Sequence, residues 1–101
     1  MSPTTDAKLI FSVPFGEREA FEAEARGHLA YASVKLPSGA LIPVMFWDAV
    51  RLAQDLETEA EQGRSFIAEP GMIVLTSVTL ENMEQAVRRL YAEWFFDTFR
   101  R

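Results

Sequence analysis

The sequence has 101 residues, of which 49% are hydrophobic and 25% are charged, and its formal net charge is −5 at pH 7. This size and composition are typical of a single globular domain and argue against intrinsic disorder. The absence of cysteine excludes disulfides, thiolate metal sites and cysteine nucleophiles, and the acidic balance argues against duplex nucleic acid, whose binding depends on neutralised phosphates.

The two ends of the chain are expected to differ in order. Residues 1–7 have the small and polar composition of a flexible leader, and residues 8–101 are predicted to form one domain. The start, M-S-P-T-T-D-A-K, lacks a basic segment followed by an apolar one, so no secretory signal is expected. No apolar run approaches the roughly 18 residues of a membrane span. We therefore expect a cytoplasmic protein without membrane insertion.

The first two predicted elements are a strand and a helix. The run K-L-I-F-S-V-P-F is almost continuously apolar and ends at Pro14 and Gly16, which predicts a strand. The next segment, E-R-E-A-F-E-A-E-A-R, favours a helix that stops at Gly27. Phe21 is its only large apolar side chain, so we expect this helix to be thinly anchored.

A β-hairpin is the clearest local pattern. The runs L-A-Y-A-S-V-K-L and A-L-I-P-V-M-F flank a turn that contains Pro37 and Gly39. Ile42, Val44 and Phe46 share one face by period two. Proline cannot donate to a strand ladder, so Pro43 predicts that the second run is an edge strand or carries a bulge.

A second helix and a short strand follow the hairpin. Asp48 is a suitable N-cap and Gly63 a suitable stop. One apolar stripe runs along this helix, consisting of Ala49, Leu52, Ala53, Leu56 and Ala60. The sequence Glu69-Pro70-Gly71-Met72 suits a type II turn, and the apolar run that starts at Met72 predicts a central strand over residues 72–75.

The last helix is predicted to begin near Thr79 or Leu80. Its core-facing stripe consists of Met83, Val87, Leu90 and Trp94. The resulting order is β-α-β-β-α-β-α, and its first six elements match the ferredoxin-like split βαβ arrangement, an α+β fold, with an added C-terminal helix. If the first helix does not form, the expected alternative is an irregular α+β sandwich.

One family resemblance covers roughly the last 70 residues. From the hairpin through W-D-A-V-R-L-A-Q-D-L-E to A-E-P-G-M-I-V-L-T-S-V-T-L-E-N-M, the sequence resembles small bacterial proteins of uncharacterised function. The resemblance implies no catalytic or binding residues.

Signatures of catalysis and metal binding are weak. His28 is the only histidine, and no nucleophile–base pattern accompanies it. Glu57, Glu59 and Glu61 are interpreted as the solvated outer face of a helix and not as a metal site. No catalytic residue, metal ligand or cofactor is predicted, and an enzyme is the least favoured class.

The aromatic C-terminal segment Y-A-E-W-F-F-D-T-F leaves three interpretations open. The helix ends near Glu93 and an extended segment folds back into the core, or the helix continues and meets a partner, or the segment rests on a membrane surface. On the second interpretation the interaction residues are Tyr91, Phe95, Phe96 and Phe99.

The leading functional hypothesis is an interaction module that acts through homodimerisation or binds another protein through this aromatic segment. The alternative is a small-ligand-binding domain with a pocket between sheet and helix. Tyr31, Trp47 and Glu69 are the candidate pocket residues.

Overall fold

The computed structural model describes residues 7–99, without the side chains of residues 98 and 99. Its strands are β1 (Lys8–Phe11), β2 (His28–Lys35), β3 (Leu41–Asp48) and β4 (Met72–Leu75). Its helices are α1 (Glu17–Arg26), α2 (Ala49–Glu61), α3 (Leu80–Ala92) and a C-terminal 3₁₀ helix (Phe95–Phe99). The predicted α+β class and the order β-α-β-β-α-β with an added helix are confirmed. The leader predicted over residues 1–7 lies outside the described residues, except for the buried Ala7.

The four strands form one sheet in the order β1-β2-β3-β4. The β1–β2 and β2–β3 pairs are antiparallel, and the β3–β4 pair is parallel. The two strands joined by α1 are therefore direct neighbours, whereas a third strand separates the joined strands of a split βαβ unit. The ferredoxin-like element order is thus combined with a sequential strand order.

The sheet position predicted for β4 is wrong, and of the two alternatives for β3 the edge strand is wrong. An irregularity of register does occur in the β2–β3 pairing, on β2 between Leu29 and Ala32. β3 lies inside the sheet and β4 lies at its edge. Pro43 is tolerated in an inner strand because alternate residues bond to opposite neighbours, and the Met45 amide bonds to Gly71 on the β4 side. The Pro43 nitrogen points to the same side, but β4 begins only at Met72, opposite Met45. No ladder hydrogen bond is lost there.

The predicted turn at Gly71 and the predicted cap at Asp48 both form, and the structure adds a cap at Thr79. The Met72 amide donates to the Glu69 carbonyl at 3.2 Å, and Gly71 has φ +79°, as a type II turn requires. Asp48 caps α2 by accepting from the Arg51 amide at 2.7 Å. Thr79 caps α3 in the same way.

The hydrophobic core lies on one face of the sheet. Phe46 of β3 and the α3 residues Met83 and Val87 are completely or almost completely buried in it. The first helix does form, but its anchor is the buried Ala23, and Phe21 is 73% exposed. The small Ala23 side chain lets α1 approach the core closely, which a pattern based on large apolar residues does not detect.

Candidate functional site

The aromatic C-terminal segment folds back onto the core. The regular helix ends at Ala92, Trp94 takes a left-handed conformation with φ +64°, and the chain continues as the 3₁₀ helix. This reversal leaves Phe96 1% exposed and Trp94 75% exposed. The fold-back interpretation is confirmed, with a 3₁₀ helix in place of the expected extended segment. The placement of Trp94 on the core-facing stripe is wrong.

The fold-back changes what the predicted interaction residues can do. Phe96 is part of the core, and Tyr91 and Phe95 are partly buried against it. Phe96 is therefore not an exposed docking residue, which corrects that part of the prediction. The side chain of Phe99 lies outside the described part of the chain. Among the aromatic side chains of the segment that the structure describes, Trp94 is the exposed one, and it lines a groove of about 360 Å³ beside the β2–β3 turn.

A polar cluster surrounds Trp47 where β3 meets α2. The Trp47 indole N–H donates to Asp55 Oδ2 at 3.0 Å, and Arg51 Nε donates to Asp55 Oδ1 at 3.0 Å. His28 lies against the Trp47 ring with a centroid separation of 4.5 Å. Arg51 also donates to the Arg26 carbonyl at the end of α1. These contacts fix the polar side of α2 over this end of the sheet.

The cluster shifts two pKa values downward. Burial lowers the pKa of His28 below its ordinary value of 6.5, and the Arg51 charge lowers it further while Asp55 opposes the change. Burial acts to raise the pKa of Asp55, but hydrogen bonds from Trp47 and Arg51 outweigh it and lower this pKa below its ordinary value of 3.8. The cluster therefore favours neutral His28 and ionised Asp55.

We expect His28 to make the fold less stable on mild acidification. Its pKa is lower in the folded chain, so as pH falls through about 6.5 the unfolded chain takes up a proton first and the free energy of unfolding decreases. His28→Gln should remove this decrease between pH 7 and pH 5 and leave the loss from Asp55, which occurs below pH 3.8. Urea unfolding at each pH measures the difference between the two proteins. Identical slopes from pH 7 to pH 5 would contradict the lowered His28 pKa.

Two of the three predicted pocket residues meet in one cleft. Trp47 and Glu69 line a cleft of about 410 Å³ between α2 and the segment that precedes β4, together with Asp55, Glu59 and Arg64. Tyr31 does not line this cleft; its ring makes an edge contact with Phe11, with centroids 6.3 Å apart. The small-ligand hypothesis stays a prediction, with Tyr31 apart from the other two residues.

The second face of the sheet is apolar and largely uncovered, and we call it the open face. Register and period-two alternation place Trp47, which is buried beside α2, and nine further residues on it: Lys8, Ile10, Ser33, Lys35, Leu41, Pro43, Met45, Met72 and Val74. Leu41 is 60% exposed, Val74 48% and Ile10 38%. These three side chains lie on three different strands. The apolar surface is continuous along β3 and β4, whereas β2 contributes Ser33 and Lys35 between Ile10 and the β3 residues.

The apolar stripe of α2 is also uncovered. None of its residues is buried, although the stripe was predicted from the spacing of Leu52, Leu56 and three alanines. Leu56 is 37% exposed, and Val50 beside the stripe is 68% exposed. The helix instead contacts the sheet through Asp55, which accepts from Trp47, and contacts the end of α1 through Arg51. Docking through these polar residues turns the stripe away from the core.

The sequence of β3 contains a signal for the open face as well as for the core face. The alternation that places Ile42, Val44 and Phe46 together also places Leu41 and Met45 together on the opposite side. A strand that is apolar on both faces usually has both faces covered. Here residues 7–99 cover one face, and they cover the other face only at Trp47, where α2 contacts it.

The described residues form neither a metal site nor a membrane-spanning helix. Within residues 7–99, no group of three or more His, Asp or Glu side chains is placed to hold a metal ion. No helix in that range is long and apolar enough to cross a membrane. Comparisons of the chain with protein-family models, with curated proteins and with solved structures found no match. The resemblance to uncharacterised bacterial proteins therefore stays a prediction.

Proposed function

We propose that this protein is an interaction module and that it forms a homodimer through the open face. The observation that carries the proposal is the exposure of Leu41, Val74 and Ile10 on three strands of one sheet face. Contiguous exposed apolar surface of this kind marks association sites in soluble proteins. The aromatic segment keeps a structural role, because Phe96 completes the core.

The available area is sufficient for a second copy of the chain. At a strand spacing of about 4.8 Å and a rise of about 3.4 Å per residue, the 24 strand residues offer a footprint of about 400 Å². The 13-residue α2 is about 20 Å long and 10 Å wide and covers the sheet at Trp47, so it adds at most about 200 Å² to this footprint. Two copies together would bury about 800–1,200 Å², the size of a weak dimer that forms as the concentration increases.

Symmetry also favours a second copy. Most soluble oligomers are symmetric homo-oligomers, and a two-fold interface uses the same patch on both subunits. The open face with α2 at one end satisfies that requirement because each copy can cover the exposed apolar surface of the other. A homodimer explains both uncovered surfaces, the open face and the α2 stripe, with one partner.

We expect Val74→Glu to abolish dimer formation. The wild type should change from 11.4 kDa to twice that mass as its concentration increases, because association removes apolar surface from water. A carboxylate at position 74 would be buried without a partner, which costs several kcal/mol. Light scattering over a concentration series gives the mass. Val74 is 48% exposed, so the variant should fold normally by circular dichroism.

Phe21→Glu is the matched control. Phe21 is a 73% exposed side chain on α1, away from the open face, and its replacement should leave the dimer intact. A wild type that stays at 11.4 kDa up to millimolar concentration contradicts the proposal. Equal loss of the dimer in both variants would place the interface elsewhere.

A further inference from the structure

The only two lysines of the chain lie together on the open face. Lys8 of β1 and Lys35 of β2 are direct cross-strand partners, both exposed. Like charges placed directly opposite each other destabilise a strand pair. In a chain of net charge −5, this pair forms a local positive end on an apolar surface, and carboxylates of a partner would offset the repulsion.

Helix α2 contacts the opposite end of the open face. At the lysine end, Lys35 pairs with Leu41 of β3. Trp47, which α2 contacts through Asp55, lies six residues beyond Leu41 on the same strand. That separation is about 20 Å at 3.4 Å per residue. Glu57 and Glu61 lie within two turns of Asp55 on α2, and both are exposed. The open face therefore has a positive end, and the acidic helix α2 contacts it at the other end, at Trp47.

The rotation of α2 shows which of its residues face a partner. At about 100° per residue, and with Asp55 marking the side that contacts Trp47, Leu56 lies about 100° away and Ala53 about 160° away. Glu57 lies about 200° away and Val50 about 220°, on the side opposite the chain's own sheet. A second sheet stacked over α2 would therefore cover the exposed Val50 and meet Glu57.

A two-fold axis that relates two sheets packed face to face must lie in the plane between them. If the strands of the two sheets are aligned, this axis runs either along the strands or across them. An axis parallel to the strands brings the lysine ends of both copies together and also brings both α2 helices together. An axis across the strands places the lysine end of each copy against the α2 end of the other. Like-charge juxtaposition costs several kcal/mol across an interface and selects against wrong arrangements.

We propose that the homodimer uses the axis across the strands, so that α2 of each copy lies over the lysine end of its partner and Glu57 and Glu61 pair with Lys8 and Lys35. This inference rests on the proposed homodimerisation and assigns its geometry. The two helices form one layer between the two sheets. The apolar stripe of each helix, at the side of its own sheet contact, then faces the other helix.

Charge reversal on the two surfaces tests the arrangement. One variant carries Lys8→Glu with Lys35→Glu, and the other carries Glu57→Lys with Glu61→Lys. Each alone should dimerise at least about tenfold more weakly than the wild type, because every interfacial ion pair becomes a repulsive pair. Mixed in equal amounts, the two variants should form a heterodimer with an affinity within about threefold of the wild type, since both contacts then join opposite charges. Analytical ultracentrifugation at low salt gives each dissociation constant.

The variants are chosen so that the single chain is little affected. Positions 8 and 35 remain a like-charge pair after reversal, so the β1–β2 contact keeps its electrostatic balance. Lysines at 57 and 61 lie in the C-terminal half of α2, where positive charge suits the helix dipole. The control partner carries Glu24→Lys with Glu84→Lys, the same change of net charge at exposed positions of α1 and α3. It should not rescue the Lys8→Glu, Lys35→Glu variant.

The outcomes separate this inference from the homodimer proposal itself. If Val74→Glu abolishes the dimer but the charge-reversed variants associate normally, or if mixing restores nothing, the homodimer stands and the proposed axis is wrong. If the control partner rescues as well as the matched one, net charge and not local pairing is responsible, and the axis is again wrong. A wild type that is monomeric throughout overturns both.

Discussion

Replacing Phe96 by alanine should cost about 3–5 kcal/mol of the free energy of unfolding. Phe96 is 1% exposed and belongs to the main hydrophobic cluster, with the Phe95 ring edge-on at 5.3 Å. Removing the ring deletes apolar surface and leaves a cavity that the rigid sheet can close only in part. Because a small domain is stable by only about 5–15 kcal/mol, this loss should move the urea midpoint strongly or unfold the chain.

Trp94→Ala is the matched control, because it removes a larger aromatic side chain two residues away. Trp94 is 75% exposed, so its removal should change stability by less than about 1 kcal/mol. Trp94→Gly should stabilise by up to about 1 kcal/mol, since φ +64° is strained for tryptophan and free for glycine. Equal costs at positions 94 and 96 would contradict the fold-back of the C-terminal segment.

Gly71→Ala is expected to destabilise the fold by about 3 kcal/mol or more. A Cβ at this position would lie 2.2 Å from the Pro43 carbonyl oxygen, and the backbone has φ +79°. The clash is with backbone of an inner strand, so no side-chain rotation relieves it. Relaxation would have to separate β3 from the start of β4 and weaken the hydrogen bond from the Met45 amide to the Gly71 carbonyl at 3.0 Å.

Gly63→Ala separates the cost of the steric clash from the cost of a left-handed backbone conformation. Gly63 has φ +88°, but a Cβ there would meet nothing within 4 Å. The variant should therefore lose only the cost of a left-handed alanine, about 1–2 kcal/mol. Urea unfolding of both variants gives the comparison. A Gly71→Ala loss no larger than that of Gly63→Ala would show that β3 and β4 are not as close as described.

Tertiary contacts override local backbone preference at the end of α3. Trp94 adopts a conformation that costs about 1–2 kcal/mol, and the gain is the burial of Phe96, worth more than that. A helical wheel predicts the reverse assignment, with Trp94 inside, because it assumes that the helix continues. The end of a helix depends on what its next residues can bury, and sequence periodicity contains no information on that.

Part of the candidate interaction surface was predictable from the sequence. The period-two pattern of β3 identifies its two faces, and the lysine positions are visible in the sequence. The pairing of Lys8 with Lys35 was not predictable, because it depends on the register of β1 against β2 across a 16-residue connection. The register fixes which residues share a face, and a shift of one residue would have turned both strands over.

The sequence by itself determined the local elements of this protein: the four strands, the three helices, the cap at Asp48, the start of α3 near Thr79, and the turn at Gly71. These follow from neighbouring residues through backbone preference and short-range hydrogen bonds. Only the tertiary structure decided that β3 is inner and β4 an edge, that Phe96 and not Trp94 enters the core, and that α2 docks through polar side chains. Each of these depends on competition for one limited core, in which residues far apart in sequence exclude one another.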